Sequence, residues 1–219
     1  RRAAERRGTA LKAGIAEELA ALKARALAEA GKPLIQPLAL WQAIGEMLPK
    51  DIVVVEETLS SGPGLRQLVA GDDSKSFFGM RGGGIGWGLP AAVGVKLALP
   101  HRPVLALIGD GSAMYNCQAL WTAAHERLAV VFLILNNGGY RILKQRLNAL
   151  RGHAAQTGRY VAMNLEEPPI DFLALARSMG VEAERARTLA EVRKALATAL
   201  AAKTPTLIDV ALDPSFSPV

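Results

Sequence analysis

Asp110, in the run Ile108-Gly109-Asp110-Gly111-Ser112, and the pair Asn136-Asn137, with Asn137 27 residues beyond Asp110, are of the right types and spacing for metal chemistry. A carboxylate, a carboxamide oxygen and a backbone carbonyl make an all-oxygen ligand set. Such a set suits Mg²⁺, which prefers near-octahedral oxygen coordination and takes several ligands from phosphate and water, and suits zinc or copper poorly. Asp110 is expected as the charged ligand, Asn137 as the amide ligand and Gly139 as the source of a backbone carbonyl. The amides of Gly111 and Ser112 fall where a helix should begin and can donate to a phosphate. The Ser112 hydroxyl and the Tyr140 phenol can add hydrogen bonds. A strand-end Asp capping a helix and an ordinary Asn-Asn turn would explain each piece singly. The conjunction on two successive strands favours the metal-phosphate reading.

The elements that must hold these residues are legible in the hydrophobic pattern. Val104 to Ile108 and Leu128 to Leu135 are apolar runs of strand length, and each ends in a polar turn. In a parallel sheet both turns fall at the carboxyl edge, where ligands bind in open α/β folds. Further strands are expected at Ile52–Val55, with Glu56 to Gly64 as its polar exit, and at Phe77-Phe78, Val181–Glu184 and Thr206–Val210. Helices are expected at Pro37–Leu48, Leu65–Val69, Leu89–Leu99, near 115–127 and near 140–150. Two more follow Asp171 and the capping box Thr188-Leu189-Ala190-Glu191. Strands alternating with helices predict a doubly wound α/β domain with a largely parallel sheet of about six strands and helices on both faces. His153 to Pro169 reads as a long loop. Residues 1–36 read as a helical arm or interdomain linker and 37–219 as the binding domain.

The glycine turn admits a second reading. Gly86-Trp87-Gly88-Leu89-Pro90-Ala91 satisfies G-x-G-x-x-A, with Asp110 about 20 residues on, the outline of a dinucleotide fingerprint. That fingerprint should directly follow a long apolar strand, whereas Met80-Arg81-Gly82-Gly83-Gly84 intervenes here. A ribose-binding acid would also leave Gly111-Ser112 and the Asn pair without a purpose.

Composition narrows the class. The 219 residues suffice for one large α/β domain, and 50% are hydrophobic, as in a globular chain. No apolar run reaches the length of a membrane span. The single cysteine, Cys117, forms no internal disulfide, which fits a reducing cytoplasm. The net charge of +6 owes much to Arg1, Arg2, Arg6 and Arg7, read as a solvated lead-in. No basic stripe interleaves with aromatics, so nucleic acid is not expected as a partner. His101 and His153 are expected in surface loops and His125 at a helix end. Trp41, Trp87 and Trp121 are expected in the core or at a subunit contact.

Gly109-Asp110-Gly111-Ser112 with Asn136-Asn137 resembles the signature of thiamine diphosphate-dependent enzymes. Phe78 to Leu143, including Ala119-Leu120-Trp121-Thr122-Ala123-Ala124, is most similar to the benzoylformate decarboxylase and acetolactate synthase families. The resemblance runs from about Pro37 to Val210. It implies Asp110, Asn137 and the Gly139 carbonyl as Mg²⁺ ligands, and Ser112, Tyr140 and Ser60 as diphosphate contacts. It implies that the Gly83 carbonyl accepts from the 4′-amino group of the cofactor. Ile85 would be the apolar wedge that bends the cofactor so that this nitrogen reaches the thiazolium C2 proton. Ile142 and Leu143 would line an apolar pocket for an aromatic or branched 2-oxo acid. The family's activating glutamate belongs to a separate pyrimidine-binding domain. The chain is therefore expected to be the carboxyl-terminal third of a longer or multi-subunit decarboxylase, inactive alone, in a homodimer or homotetramer. An acetolactate synthase-like carboligase and a non-catalytic cofactor-binding or assembly subunit are the alternatives. Glu56 and Glu57 are expected as polar turn residues near the cofactor edge.

Overall fold

The computed structural model describes residues 2–69, 71 and 73–216. Arg1 and the side chains of Arg2, Arg6 and Arg7 lie outside that description. The chain runs through α1 (Arg2–Glu29), α2 (Pro37–Gly45), β1 (Val53–Glu57), α3 (Leu65–Leu68), β2 (Phe77–Gly79), α4 (Gly88–Ala98) and β3 (Val104–Gly109). It continues through α5 (Asp110–Ala113), α6 (Ala119–His125), β4 (Val130–Asn136), α7 (Arg141–Ala149) and α8 (His153–Thr157). It closes with α9 (Phe172–Ser178), β5 (Glu182–Ala186), α10 (Leu189–Ala201) and β6 (Thr206–Ala211).

All six strands are parallel, in the order β2-β1-β3-β4-β6-β5. The period-2 alternation of strand side chains splits the core in two. Leu105, Leu107, Val131, Leu133 and Leu135 face α2 and α10, packing with Trp41, Ile44, Val192 and Leu196. Val104, Ala106, Ile108, Val130, Phe132 and Ile134 face the other way, against Leu89, Leu120 and Phe172 of α4, α6 and α9. Continuous apolar strands are what a sheet covered on both faces requires. The doubly wound expectation holds, with six strands.

The chain winds outward from β1 to β2, then returns past β1 to lay down β3, β4 and the rest. The direction reverses between β1 and β3. At such a switch point the loops leaving the two strands diverge and open a crevice at their carboxyl ends. Asp110 follows β3 directly, and the 3₁₀ turn Leu59–Ser61 follows β1.

Several local expectations are corrected. β1 does not end at Val55 but runs on through Glu56 and Glu57, because both pair in register with β3. The helix near 115–127 is the shorter α6, Ala119–His125, and α5 precedes it, with Met114 to Gln118 turning between them. The 153–169 loop contains α8 and pairs back onto the Asn-Asn turn, as Tyr140 N donates to Met163 O at 2.9 Å and Leu165 N to Gly138 O at 2.9 Å. Trp41 is fully buried, but Trp121 is 55% exposed and stacks on His125 with centroids 4.8 Å apart. The N-terminal helix packs against α2 and α3 while Leu11, Ile15 and Leu27 stay exposed. Among the described residues no helix is long and apolar enough to cross a membrane.

Candidate functional site

The structure brings Asp110, Gly111, Ser112, Asn137, Gly139, Tyr140, Ser60 and Ile142 around one small cavity at the switch point, together with Thr58, Leu59, Gly109 and Arg141. Asp110 is 3% exposed. Its Oδ2 accepts from Asn137 N at 3.0 Å and Gly139 N at 3.1 Å, and its Oδ1 from Gly111 N at 2.8 Å. The carboxylate thus ties the end of β3 to the turn after β4. Burial pushes the Asp110 carboxyl up to about 6, against the downward pull of the backbone donors. No side-chain cation bonds to it among the described residues.

Two buried polar atoms at this cavity lack a partner, the Asn137 Oδ1 and the Ser112 Oγ. Buried polar groups in folded chains are nearly always hydrogen-bonded, so a cluster of exceptions indicates a place for a ligand. A carboxylate short of cation contacts, an orphan amide oxygen and an orphan hydroxyl are oxygen donors of the kind Mg²⁺ takes. The residues present therefore fit a Mg²⁺-diphosphate. Among the described residues no group of three or more His, Cys, Asp or Glu converges on a metal position.

Some expected partners are engaged otherwise. The Gly111 N–H is satisfied by Asp110 and is not free for a phosphate, since the tight turn folds the carboxylate back on it. Gly139 offers its N–H to Asp110, and its carbonyl accepts from Arg141 N at 2.9 Å, which leaves that oxygen one lone pair. The two adjacent asparagines face different ways. Asn136 turns to the buried Asp209 on β6, its Nδ2 donating to Oδ1 at 3.0 Å, and only Asn137 reaches the cavity. Ser60 lines the cavity while accepting from Arg141 Nε at 3.2 Å. The Tyr140 ring lies over Gly111, where a Cβ would collide with it. Burial, then Tyr115 and Asp110, hold the Tyr140 phenol above its ordinary range. Gly83 and Ile85 lie on the neighbouring glycine turn and do not line the cavity, and Gly83 is exposed. Ile142 is half-buried at the cavity, whereas Leu143 is 46% exposed.

The parts played by two residues were not read from the sequence. Glu57 is fully buried, and its carboxylate accepts from the backbone N–H groups of Gly86 and Gly88. It clamps the glycine turn to β1, which corrects its expected place in a polar turn. Glu56 is bound locally, by Thr58 N at 3.0 Å and Thr58 Oγ1 at 2.6 Å. The second is Arg141, only 7% exposed on the wall of the cavity. Glu57 carries no sequence signal, because its partners lie about 30 residues ahead in a turn of glycines. Arg141 adjoins the turn motif, and its nearness to Tyr140 was the available clue.

Residues 67–210 match the family described as thiamine pyrophosphate enzyme, C-terminal TPP binding domain. Benzoylformate decarboxylase of Pseudomonas aeruginosa is 44% identical over 185 residues, covering 84% of this chain and 34% of the relative. Acetolactate synthase of Arthrospira platensis is 41% identical over 128 residues, covering 58% of this chain and 21% of the relative. The solved Rhodococcus jostii thiamine diphosphate-dependent 4-hydroxybenzoylformate decarboxylase superposes with a TM-score of 0.78 at 36% identity, covering 85% of this chain and 34% of that one. The chain thus spans about a third of the length of the two decarboxylases and about a fifth of that of the synthase. The dinucleotide reading falls with this match, and with the bonding of Asp110 to the 137–139 turn. The chain belongs to the thiamine pyrophosphate-dependent enzymes, as their carboxyl-terminal cofactor-binding domain.

Proposed function

We propose that this domain holds Mg²⁺ and the diphosphate of thiamine diphosphate (thiamine pyrophosphate), and serves a 2-oxo acid decarboxylase resembling benzoylformate decarboxylase. The observation that carries the reading is the cavity where a buried, cation-poor Asp110 meets the orphan oxygens of Asn137 and Ser112. Asp110, Asn137 and the Gly139 carbonyl would hold the metal. Ser112, Tyr140 and Ser60 would contact the diphosphate. When bound, the thiazolium supplies an acidic C2 position and an electron sink for decarboxylation. Glu57 holds the turn that carries Gly83 and Ile85 in place, so that the Gly83 carbonyl and the Ile85 side chain are presented to the rest of the cofactor. Ile142 and Leu143 supply apolar surface beside the site, suited to an aromatic or branched 2-oxo acid.

The activating acid is assigned to a separate pyrimidine-binding domain, on the same or a second chain, in a homodimer or homotetramer. Residues 1–36 would be the arm or linker toward it and 37–219 the binding domain. The lone Cys117 suits a reducing cytoplasm. The matches to acetolactate synthases keep a carboligase as the second reading.

Calorimetry with thiamine diphosphate, with and without Mg²⁺, tests the cofactor assignment. A metal-dependent heat is expected, and Asp110→Ala should abolish it. Metal-dependent binding that survives in Asp110→Ala would defeat the assignment.

A further inference from the structure

The cavity wall holds a positive charge that the metal-diphosphate assignment leaves without a role. Arg141 opens α7, and its guanidinium is buried. Its Nε donates to Ser60 Oγ at 3.2 Å and its Nη2 to Ser61 Oγ at 3.0 Å and Ser60 O at 3.5 Å. Its Nη1 donates to Asp213 O at 3.0 Å. Every one of these acceptors is a neutral oxygen. Among the described residues no carboxylate stands within ion-pairing distance of this guanidinium. The Asp213 carboxylate is turned to Gln36 Nε2 at 2.7 Å and Ser215 N at 2.8 Å. Four bonds also leave one of five guanidinium donors unused.

A buried cation with no carboxylate bonded to it is costly, and an anion bound beside it offsets that cost. Asp213 and Asp110 act on this guanidinium only through space, since the oxygens of Asp213 are turned to Gln36 and Ser215 and those of Asp110 to the turn amides. A diphosphate carries more negative charge than one Mg²⁺ and a neutral hydroxyl cradle can balance. Resting on the cofactor reading above, we infer that Arg141 is a diphosphate-binding residue. Its charge supplies anion affinity that does not pass through the metal, and its fork fixes Ser60 and Ser61 at the mouth of β1. The site is then two-sided. Asp110 and Asn137 meet the diphosphate through Mg²⁺, and Arg141 meets it through its own charge.

The test is calorimetry on the full chain with inorganic pyrophosphate, thiamine diphosphate and thiamine, each with Mg²⁺ and over a salt series. Arg141→Met is expected to weaken pyrophosphate and thiamine diphosphate binding about 10–100-fold, as loss of a charge-assisted contact does, and to leave thiamine unchanged. Its pyrophosphate affinity should also fall less steeply with salt, which a purely structural role would not produce. Arg141→Lys keeps the charge but not the fork, and should stay within about tenfold of wild type with the wild-type salt slope. If Arg141→Met does not fold, the lysine variant decides. A loss beyond about 100-fold in a folded Arg141→Lys would overturn the charge role. Wild-type pyrophosphate affinity in a folded Arg141→Met, beside an Asp110→Asn that has lost metal dependence, would overturn this inference alone. Failure of the wild-type chain to bind pyrophosphate with Mg²⁺ would overturn the cofactor reading as well.

Discussion

Asp110 is a buried carboxylate whose ionisation opposes the fold. Its carboxyl is raised from 3.8 to about 6, with burial as the main cause. A raised acid costs nothing below its unfolded value, where both states are protonated. The cost grows as pH rises, and is complete above the folded value, where both states are ionised. At about 1.4 kcal/mol per pH unit it amounts to about 3 kcal/mol. In chelator, the metal-free chain should therefore lose stability as pH rises from about 4 to about 6. Urea melts across that window should show the trend in wild type and not in Asp110→Asn, which never ionises. A flat wild-type profile would mean that the carboxylate is better solvated than its burial indicates. That Asp110 and Asn137 meet at one cavity was legible in the sequence, because each ends an apolar strand run in a polar turn. The parts played by Glu57 and Arg141 were not, because each owes its role to the neighbour it meets. A glutamate at a strand end reads as solvated until Gly86 and Gly88 are seen to bind it. The opposite orientations of Asn136 and Asn137 likewise depend on Asp209, 73 residues away from Asn136.

At the scale of elements, the turn between β4 and α7 carries the most demanding geometry. Gly138 has φ +72, and a Cβ there would stand 2.6 Å from Glu166 Oε1. Positive φ costs a non-glycine residue about 1–2 kcal/mol before any clash. Gly138→Ala should lower stability by about that amount. It should also weaken Mg²⁺-dependent cofactor binding, since the same turn presents the Asn137 and Gly139 amides to Asp110. Unaltered calorimetry in that variant would show that the turn relaxes without disturbing the site. The helix caps give a contrasting case away from the chemistry. Asp171 Oδ1 accepts from Leu173 N and Ala174 N at the start of α9, and Thr188 Oγ1 from Glu191 N at the start of α10. Asp171→Ala and Thr188→Ala should each cost about 1 kcal/mol in a denaturant melt and leave cofactor binding as it was. Both caps were readable in the sequence, since capping is a contact between residues two or three apart. The break between α5 and α6 was not, because Met114 to Gln118 carry no proline or glycine and the turn follows from how Asp110 enters its helix.

For the whole molecule, the strand order fixes where chemistry can occur. The reversal between β1 and β3 gathers the exits of β1, β3 and β4 at one edge, and every cavity residue described above lies on or beyond those exits. The parallel six-stranded sheet followed from the alternation of apolar runs with helical periodicity, whereas the strand order did not, because pairing is set by crossover packing that no local pattern records. The proposed function assigns activation of the cofactor's aminopyrimidine to an acid, and two carboxylates near this edge are candidates. Both are occupied, Glu57 by the amides of Gly86 and Gly88 and Glu56 by Thr58. Exposed apolar side chains remain at Tyr115 after α5, Trp121 on α6 and Leu143 on α7. The isolated chain should thus bind thiamine diphosphate with Mg²⁺ yet release no carbon dioxide from benzoylformate or pyruvate. Substituted for the matching third of the Pseudomonas aeruginosa benzoylformate decarboxylase, it should restore release of carbon dioxide from benzoylformate, and Asp110→Ala in that chimera should abolish it. Turnover by the chain alone would show that an acid within these residues performs the activation, and Glu57→Gln would then be the first variant to assay.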